Sequence, residues 1–333
     1  MRSIGFNALK SLLHESRDKR VMITFHSVGD SDSVSSAIAL SAYLKNATVA
    51  KPDLISSNAA RIMKKLGFDP ESIPMAFDDS SDLVILVDVN TFDECGAFRE
   101  KLLSFNKDVL IIDHHAKRDV EIGNVIAFND ESYNSSASII YSLLESLGFE
   151  IDERIAELLL TGIISDSAEL RNAMPDTFMQ IGKLLKASKK DYQTVLEDMA
   201  HVADPEAREQ TINDLMHART EVRSGLLFVY GSAHSHANLA ADDAIRVGAD
   251  IALFMSVVEG REVSFSARMR PPLDRKLHLH LGVLMQSLAK IINGTGGGHP
   301  CAAGAYGPLT SKGREFEDKF RERILDLIRS NPR

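Results

Sequence analysis

Tryptophan is absent from these 333 residues, aromatic side chains make up only 6%, and there are two cysteines. Proteins that run along single-stranded nucleic acid stack its bases on aromatic platforms, so a shortage of rings gives that class thin support. Cys95 and Cys301 lie far apart, with neither the spacing of a thiolate zinc site nor the number a disulfide framework needs. Both read as free thiols in a reducing compartment. Positive charge is also scarce: 38 Lys and Arg stand against 47 Asp and Glu, a net charge of −9. That balance argues against a broad basic surface for duplex DNA and favours small or short anionic ligands. No apolar run approaches the roughly 20 residues of a membrane-spanning helix. Residues 1–20 are amphipathic and lack a signal-peptide core, so the expectation is a cytoplasmic protein with no membrane partner.

What is present begins with 44% hydrophobic residues. A chain of this length exceeds the size at which one core stops growing, so two domains are expected. The most telling stretch is Val109–Ala116, VLIIDHHA. Its apolar run suits a parallel strand covered on both faces, yet it stops on Asp113, His114 and His115. Alone, that ending could be a polar strand-to-helix turn. Two other runs share the design: Val21–Phe25 ends on His26, with Asp30 and Asp32 following, and Leu83–Val87 ends on Asp88. The carboxyl ends of parallel strands share one edge, and ligands bind in the crevice there. So many carboxylates on one rim would repel each other, and cations are the remedy. Mixed imidazole and carboxylate donors suit divalent ions such as Mn²⁺.

Around these strands the pattern alternates with helices over about 4–17, 33–45, 57–66, 93–105 and 135–147, which predicts a doubly wound α/β sheet. A further apolar helix over 152–164 leads into Asp166, another candidate for the rim, or else a simple Asp-Ser turn at a helix end. Residues 187–223 are charged and weakly periodic, and are expected to bridge the domains. The expected division is 1–186 for the metal-binding domain, 187–223 for a helical linker and 224–333 for a smaller domain. In the last part, strands near 226–230, 250–258 and 262–267 predict a mixed sheet with a hairpin at Gly260. A long helix is expected over 274–292, and a final one over 313–328. Between them Gly296, Gly297, Gly298 and His299 predict a loop open to close backbone approach by an anion. The pairs His234/His236 and His278/His280 have no acidic partner nearby in sequence and read as surface residues.

His26 with Asp30 and Asp32, Asp88 after its strand, Asp113-His114-His115, and Asp166 in a G-I-x-S-D context together resemble the motifs of the DHH phosphoesterase superfamily. The run Gly296–His299 followed by Ala302-Ala303-Gly304 resembles that family's C-terminal DHHA1 domain. The resemblance implies a two-metal, usually manganese-dependent hydrolase with its site in a cleft between the domains. It implies one ion on His26, Asp30 and Asp88, and a second on Asp32, Asp88, His114 and Asp166. It also implies that His115 contacts the scissile phosphate or protonates the leaving oxygen, and that Asp113 orients an imidazole. Arg268 and the Gly296–His299 run would hold the nucleotide or a distal phosphate. The substrates implied are short and nucleotidic: oligoribonucleotides of a few residues, dinucleotides or 3′-phosphoadenosine 5′-phosphate, with single-stranded nucleic acid as an alternative and a homodimer as a possible assembly. Two departures, Ser167-Ala168 where the family often has Thr-Gly and Thr295 where it commonly has a glycine, bear on the shape of the substrate pocket.

Overall fold

The computed structural model describes residues 1–115, 124–171, 173–200, 205–234, 236–258, 260–298, 300–310 and 312–330. The chain forms two compact units, Met1–His201 and Val202–Arg333.

In the first unit the elements are β1 (Arg2–Ser3), α1 (Phe6–Glu15), β2 (Arg20–Thr24), α2 (Ser31–Tyr43), β3 (Asn46–Val49), α3 (Ser57–Lys65), β4 (Leu83–Val87), α4 (Arg99–Ser104), β5 (Asp108–Asp113), β6 (Val125–Asn129), α5 (Ser136–Ser146), α6 (Glu153–Asp166), α7 (Pro175–Ser188) and α8 (Tyr192–Met199). The six strands are ordered β1-β6-β5-β4-β2-β3, and every pairing is parallel. Side chains alternate across the sheet. Val21, Ile23, Ile85, Val87, Leu110 and Ile112 join one core with Leu9 of α1, Leu40 of α2, Leu144 of α5 and Leu159 of α6. Met22, Val84, Leu86, Val109 and Ile111 face the opposite core with Phe98, Leu102 and Phe105. Burial on both faces explains why these strands read as unbroken apolar runs.

The helix expected over 93–105 is broken. Residues Phe92–Phe98 form a tight 3₁₀ run in which Gly96 has φ +47°, and α4 follows. That left-handed φ, together with Ser27 Cβ only 2.9 Å from where a methyl group would sit, favours glycine at this turn.

The stretch 187–223 is not a free-standing bridge. Its first part, α8, is fastened to the first unit: Asp198 pairs with Lys65 at 2.7 Å and Lys190 at 2.8 Å, and Lys190 also reaches Glu157 at 3.0 Å. Its last part forms α9 (Pro205–Met216) and β7 (Arg219–Arg223), and β7 pairs with β8 (Leu226–Ala233) of the second unit. Several of the charges that suggested a helical linker are ion-pair partners within a unit, Lys190 and Asp198 in the first and Glu221 and Arg223 in the second.

The second unit continues with α10 (Ala237–Arg246), β9 (Ile251–Val258), β10 (Glu262–Met269), α11 (Leu273–Leu277), α12 (Leu281–Leu288), β11 (Thr295–Gly298), β12 (Ala302–Pro308) and α13 (Gly313–Ser330). Its strands are ordered β11-β12-β10-β9-β8-β7, antiparallel except for β8 beside β9. Phe228, Phe265, Leu281, Phe316 and Phe320 fill one face, with Phe265 stacked on Phe316 at 4.0 Å. Val229, Phe254 and the alanines of α10 fill the other. The single helix expected over 274–292 is divided at His278, whose φ is +51°. The glycine run forms an edge strand, β11, where a loop was expected.

Among the described residues, no helix is long and apolar enough to cross a membrane.

Candidate metal centre

Three parallel strands deliver the titratable residues to the same sheet edge. Past β2 the chain reaches His26, past β4 it reaches Asp88, and β5 ends on Asp113, with His114 and His115 beyond. Asp30 caps α2, its Oδ1 accepting from Ser33 N at 3.0 Å, and Asp32 lies in that helix's first turn. Asp166 is the last residue of α6. Asp88 adopts φ +59°, a left-handed conformation that is costly for a residue with a side chain and that clusters at functional sites.

The donors lie close together. His26 Nε2 is 3.3 Å from Asp88 Oδ2 and 3.5 Å from Asp30 Oδ1. His114 Nε2 is 3.1 Å from Asp166 Oδ2 and 3.6 Å from Asp88 Oδ1. Each of three sets, His26/Asp30/Asp88, Asp32/His114/Asp166 and Asp88/Asp113/His114/His115, has its ligand-type atoms within 4.8 Å of one another. Asp88 belongs to two of these sets. Among the described residues nothing gives the buried His114 Nε2 a hydrogen bond of acceptable geometry, despite the nearby carboxylates. An orphaned imidazole nitrogen aimed among carboxylates is what a ligand lacking its cation looks like, and the donor set fits hard or borderline divalent ions.

A second layer holds these groups. The carboxylate of Asp32, only 1% exposed, accepts from Ser136 N at 2.7 Å and Ala137 N at 2.9 Å, at the positive end of α5. Ser136 Oγ donates to Asp88 Oδ1 at 3.1 Å. Asp113 is fully buried; it accepts from His115 Nδ1 at 2.9 Å and from Asn129 Nδ2 at 3.3 Å. A methyl on Gly162 of α6 would come 2.3 Å from Ser35 Oγ and 3.0 Å from Asp32 Oδ1, so glycine lets α6 close on α2. Ser136 and Asn129 were missed by sequence reading, and Gly162 was noted only as the first residue of the G-I-x-S-D context. Ser135 marked only the expected start of a helix, and nothing in the sequence singled out Asn129.

Charge sets the protonation. Burial pushes Asp32 well above the usual carboxylate range, and Asp88, Asp166 and Asp30 push the same way. Asp88 is raised by burial too, although His26 opposes this. For His26 burial favours the neutral ring, but hydrogen bonds to Asp30 and Asp88 outweigh it and carry the imidazole to about 10. Burial would lift Asp30, yet His26 holds it at about 2. The hydrogen bond to Asp113 raises His115 to about 9, against burial. Where the carboxylates crowd, protons on His26 and His115 supply compensating positive charge.

In the second unit, Arg268 on β10 is gripped by Asp242 of α10, Nε donating to Oδ1 at 2.6 Å and Nη2 to Oδ2 at 3.2 Å. Methyl groups on Gly296 or Gly298 would strike backbone, Met285 O at 2.6 Å and Ala302 O at 2.6 Å respectively; one on Gly297 would meet nothing within 4 Å. Gly297 lines a shallow cavity of about 370 Å³ with Ser264, Ser266, Gly304 and Tyr306. His299 lies outside the described residues. His234 does have an acidic partner, Asp214, whose Oδ1 is 2.6 Å from its Nδ1. His280 Nδ1 accepts from Val283 N and caps α12.

Residues 20–163 match the DHH family, N-terminal domain, and residues 231–328 match the DHHA1 domain. The chain is 28% identical over 329 residues to the uncharacterized protein MJ0988 of Methanocaldococcus jannaschii, covering 95% of each. It is 33% identical over 153 residues to a manganese-dependent inorganic pyrophosphatase of Methanothrix thermoacetophila, 44% of this chain and 47% of that protein. The chain thus spans about half the length of that pyrophosphatase. An exopolyphosphatase-related protein from Bacteroides fragilis has the same fold, with TM-score 0.74, 15% identity and coverage of 96% of this chain and 95% of that one.

The raised histidines fix a sign for stability. A group whose pKa is higher folded than unfolded stabilises fully below its unfolded value, about 6.5 for histidine, and loses that contribution as pH rises through its folded value. For His115 and His26 those folded values are about 9 and about 10. Raised Asp32 and Asp88 act in the same direction, whereas Asp30 acts oppositely and only in strong acid. The melting temperature of chelated protein is expected to fall between about pH 7 and pH 10, and saturating Mn²⁺ should flatten that fall. A flat or rising profile without metal would contradict this protonation scheme.

Proposed function

This chain belongs to the DHH phosphoesterase family, with an N-terminal DHH domain and a C-terminal DHHA1 domain, and from that premise we propose that it hydrolyses phosphate ester bonds of short nucleotidic substrates with two divalent cations, manganese foremost. The observation that carries this reading is the convergence of histidines and aspartates around Asp88. His26, Asp30 and Asp88 would hold one cation, and Asp32, Asp88, His114 and Asp166 the other. When bound, such a pair supplies Lewis-acid polarisation of the phosphate and lowers the pKa of an attacking water.

The protein's own groups do the rest. Ser136 and the first turn of α5 keep Asp32 and Asp88 oriented. Water adds to phosphorus and releases a proton to solvent, the ester P–O bond breaks, and the departing oxygen takes a proton from His115, which solvent then replaces. Asp113 bonds Nδ1 of that ring, which leaves Nε2 to face the leaving oxygen. The bond to Asp113 favours a protonated ring on His115. Short substrates are favoured by the net charge of −9 and the few aromatic side chains. The open space above Gly297 and the guanidinium of Arg268 support a nucleotide-binding role for the second unit.

The reading is tested by incubating the protein and Mn²⁺ with dinucleotides, cyclic dinucleotides, 3′-phosphoadenosine 5′-phosphate, inorganic pyrophosphate and longer single strands. The short nucleotidic substrates should turn over fastest, and Asp88→Ala should lose roughly 10³-fold in rate. Preference for pyrophosphate or long strands would replace the substrate class, and tight nucleotide binding without turnover would favour a sensor. Gly297→Ala introduces no clash, so it should melt like the wild type yet raise KM for a dinucleotide by about tenfold with kcat kept. An unchanged KM would remove Gly297 from the binding surface.

A further inference from the structure

Beyond the rim of ligand-type residues, one polar chain crosses the ends of three neighbouring strands. Asn129, the last residue of β6, stands in register with Asp113, the last residue of β5. Its Nδ2 donates to Asp113 Oδ2 at 3.3 Å and lies 3.4 Å from Oδ1 of Asn90, two residues past Asp88. The other oxygen of Asp113, Oδ1, receives His115 Nδ1 at 2.9 Å.

Asp113 is fully buried, so its carboxylate must be satisfied by protein groups. A carboxyl group can rotate about its bond to Cβ. With Oδ2 tied by Asn129, that rotation is restricted and Oδ1 is held toward the ring of His115. The ring itself is 56% exposed on its side chain and lies 4.1 Å from the His114 ring between centroids, so its Nδ1 bond to Asp113 decides which nitrogen faces inward. Its orientation therefore depends on Asp113, and that of Asp113 on Asn129.

We propose that Asn129 is a positioning residue: through Asp113 it holds His115 with Nδ1 inward and Nε2 outward. The role rests on the phosphoesterase reading, in which His115 protonates the leaving oxygen, and it adds a residue two bonds removed from the chemistry. Asparagine suits the place because its amide donates without adding a sixth acid to the cluster, and it can accept from a neighbour at the same time.

The test compares two esters on the full-length, Mn²⁺-loaded protein. One is a dinucleotide, whose ribose oxygen is a poor leaving group that needs a proton; the other is a p-nitrophenyl phosphodiester of a nucleoside, whose leaving group does not. Asn129→Leu removes the donor at similar volume, and Asn129→Asp keeps the shape while replacing the donor with an acceptor. Each should lower kcat on the dinucleotide by about 10- to 100-fold and on the nitrophenyl ester by less than about threefold, with KM and the Mn²⁺ dependence unchanged. In chelated protein the ring-nitrogen NMR shifts of His115 should move in both variants, reporting an altered Nδ1 bond to Asp113. Equal losses on both esters, or unmoved His115 shifts, would overturn the proposal. Wild-type protein inert on both esters would instead overturn the phosphoesterase reading, and this inference with it.

Discussion

Mutual repulsion among crowded carboxylates, those of Asp32 and Asp88 buried, is the constraint from which the rest of the first unit follows. Asp30, Asp32, Asp88 and Asp166 approach the same few ångströms, with Asp113 immediately behind. Two unit charges about 4 Å apart at an effective dielectric near 20 interact by about 4 kcal/mol, a large part of the roughly 5–15 kcal/mol by which a domain is stable. Several such pairs cannot persist without positive charge between them. The fold answers with protons on His26 and His115 and with raised carboxyl groups; bound cations would supply the same compensation.

Holding like charges together requires a rigid frame, and the sheet provides it. Asp88 follows the fully buried strand β4, and its backbone N–H donates to Ile112 O at 3.0 Å, so the ladder extends one residue beyond the strand. The left-handed φ at Asp88 aims its carboxylate between His26 and His114. From the other side, α5 directs two backbone N–H groups at Asp32, and Gly162 lets α6 bring Asp166 close. Apolar faces on both sides of the sheet stabilise the unit enough to carry this unfavourable cluster, at about 1.5–3 kcal/mol for each fully buried large aliphatic side chain.

Much of this was legible in the sequence because it rests on local patterns. Leu83–Val87 and Val109–Ile112 are apolar without interruption, and a run that ends abruptly on acids and imidazoles marks a strand's exit at a ligand edge. Less was legible where tertiary contacts decide. The stretch over 274–292 looked helical, yet Leu277, Leu279 and Leu281 are all buried. That period of two, interleaved with His278 and His280, reports an extended turn between two helices. The glycine run looked like a loop because nothing local reveals that α12 packs its backbone against β11. Asp242 and Asn129 lie 26 and 16 residues from Arg268 and Asp113, the groups they orient, and no spacing rule links them.

The central claim is that residues spread from position 26 to position 166 form one cage for two cations sharing Asp88. Low-temperature electron paramagnetic resonance of the chelated protein titrated with Mn²⁺ addresses it directly. The account predicts uptake of about two ions per chain and the multiline spectrum of an exchange-coupled pair about 4 Å apart, collapsing to isolated-ion signals in Asp88→Ala. Two magnetically independent ions, or a single bound ion in the wild type, would contradict it.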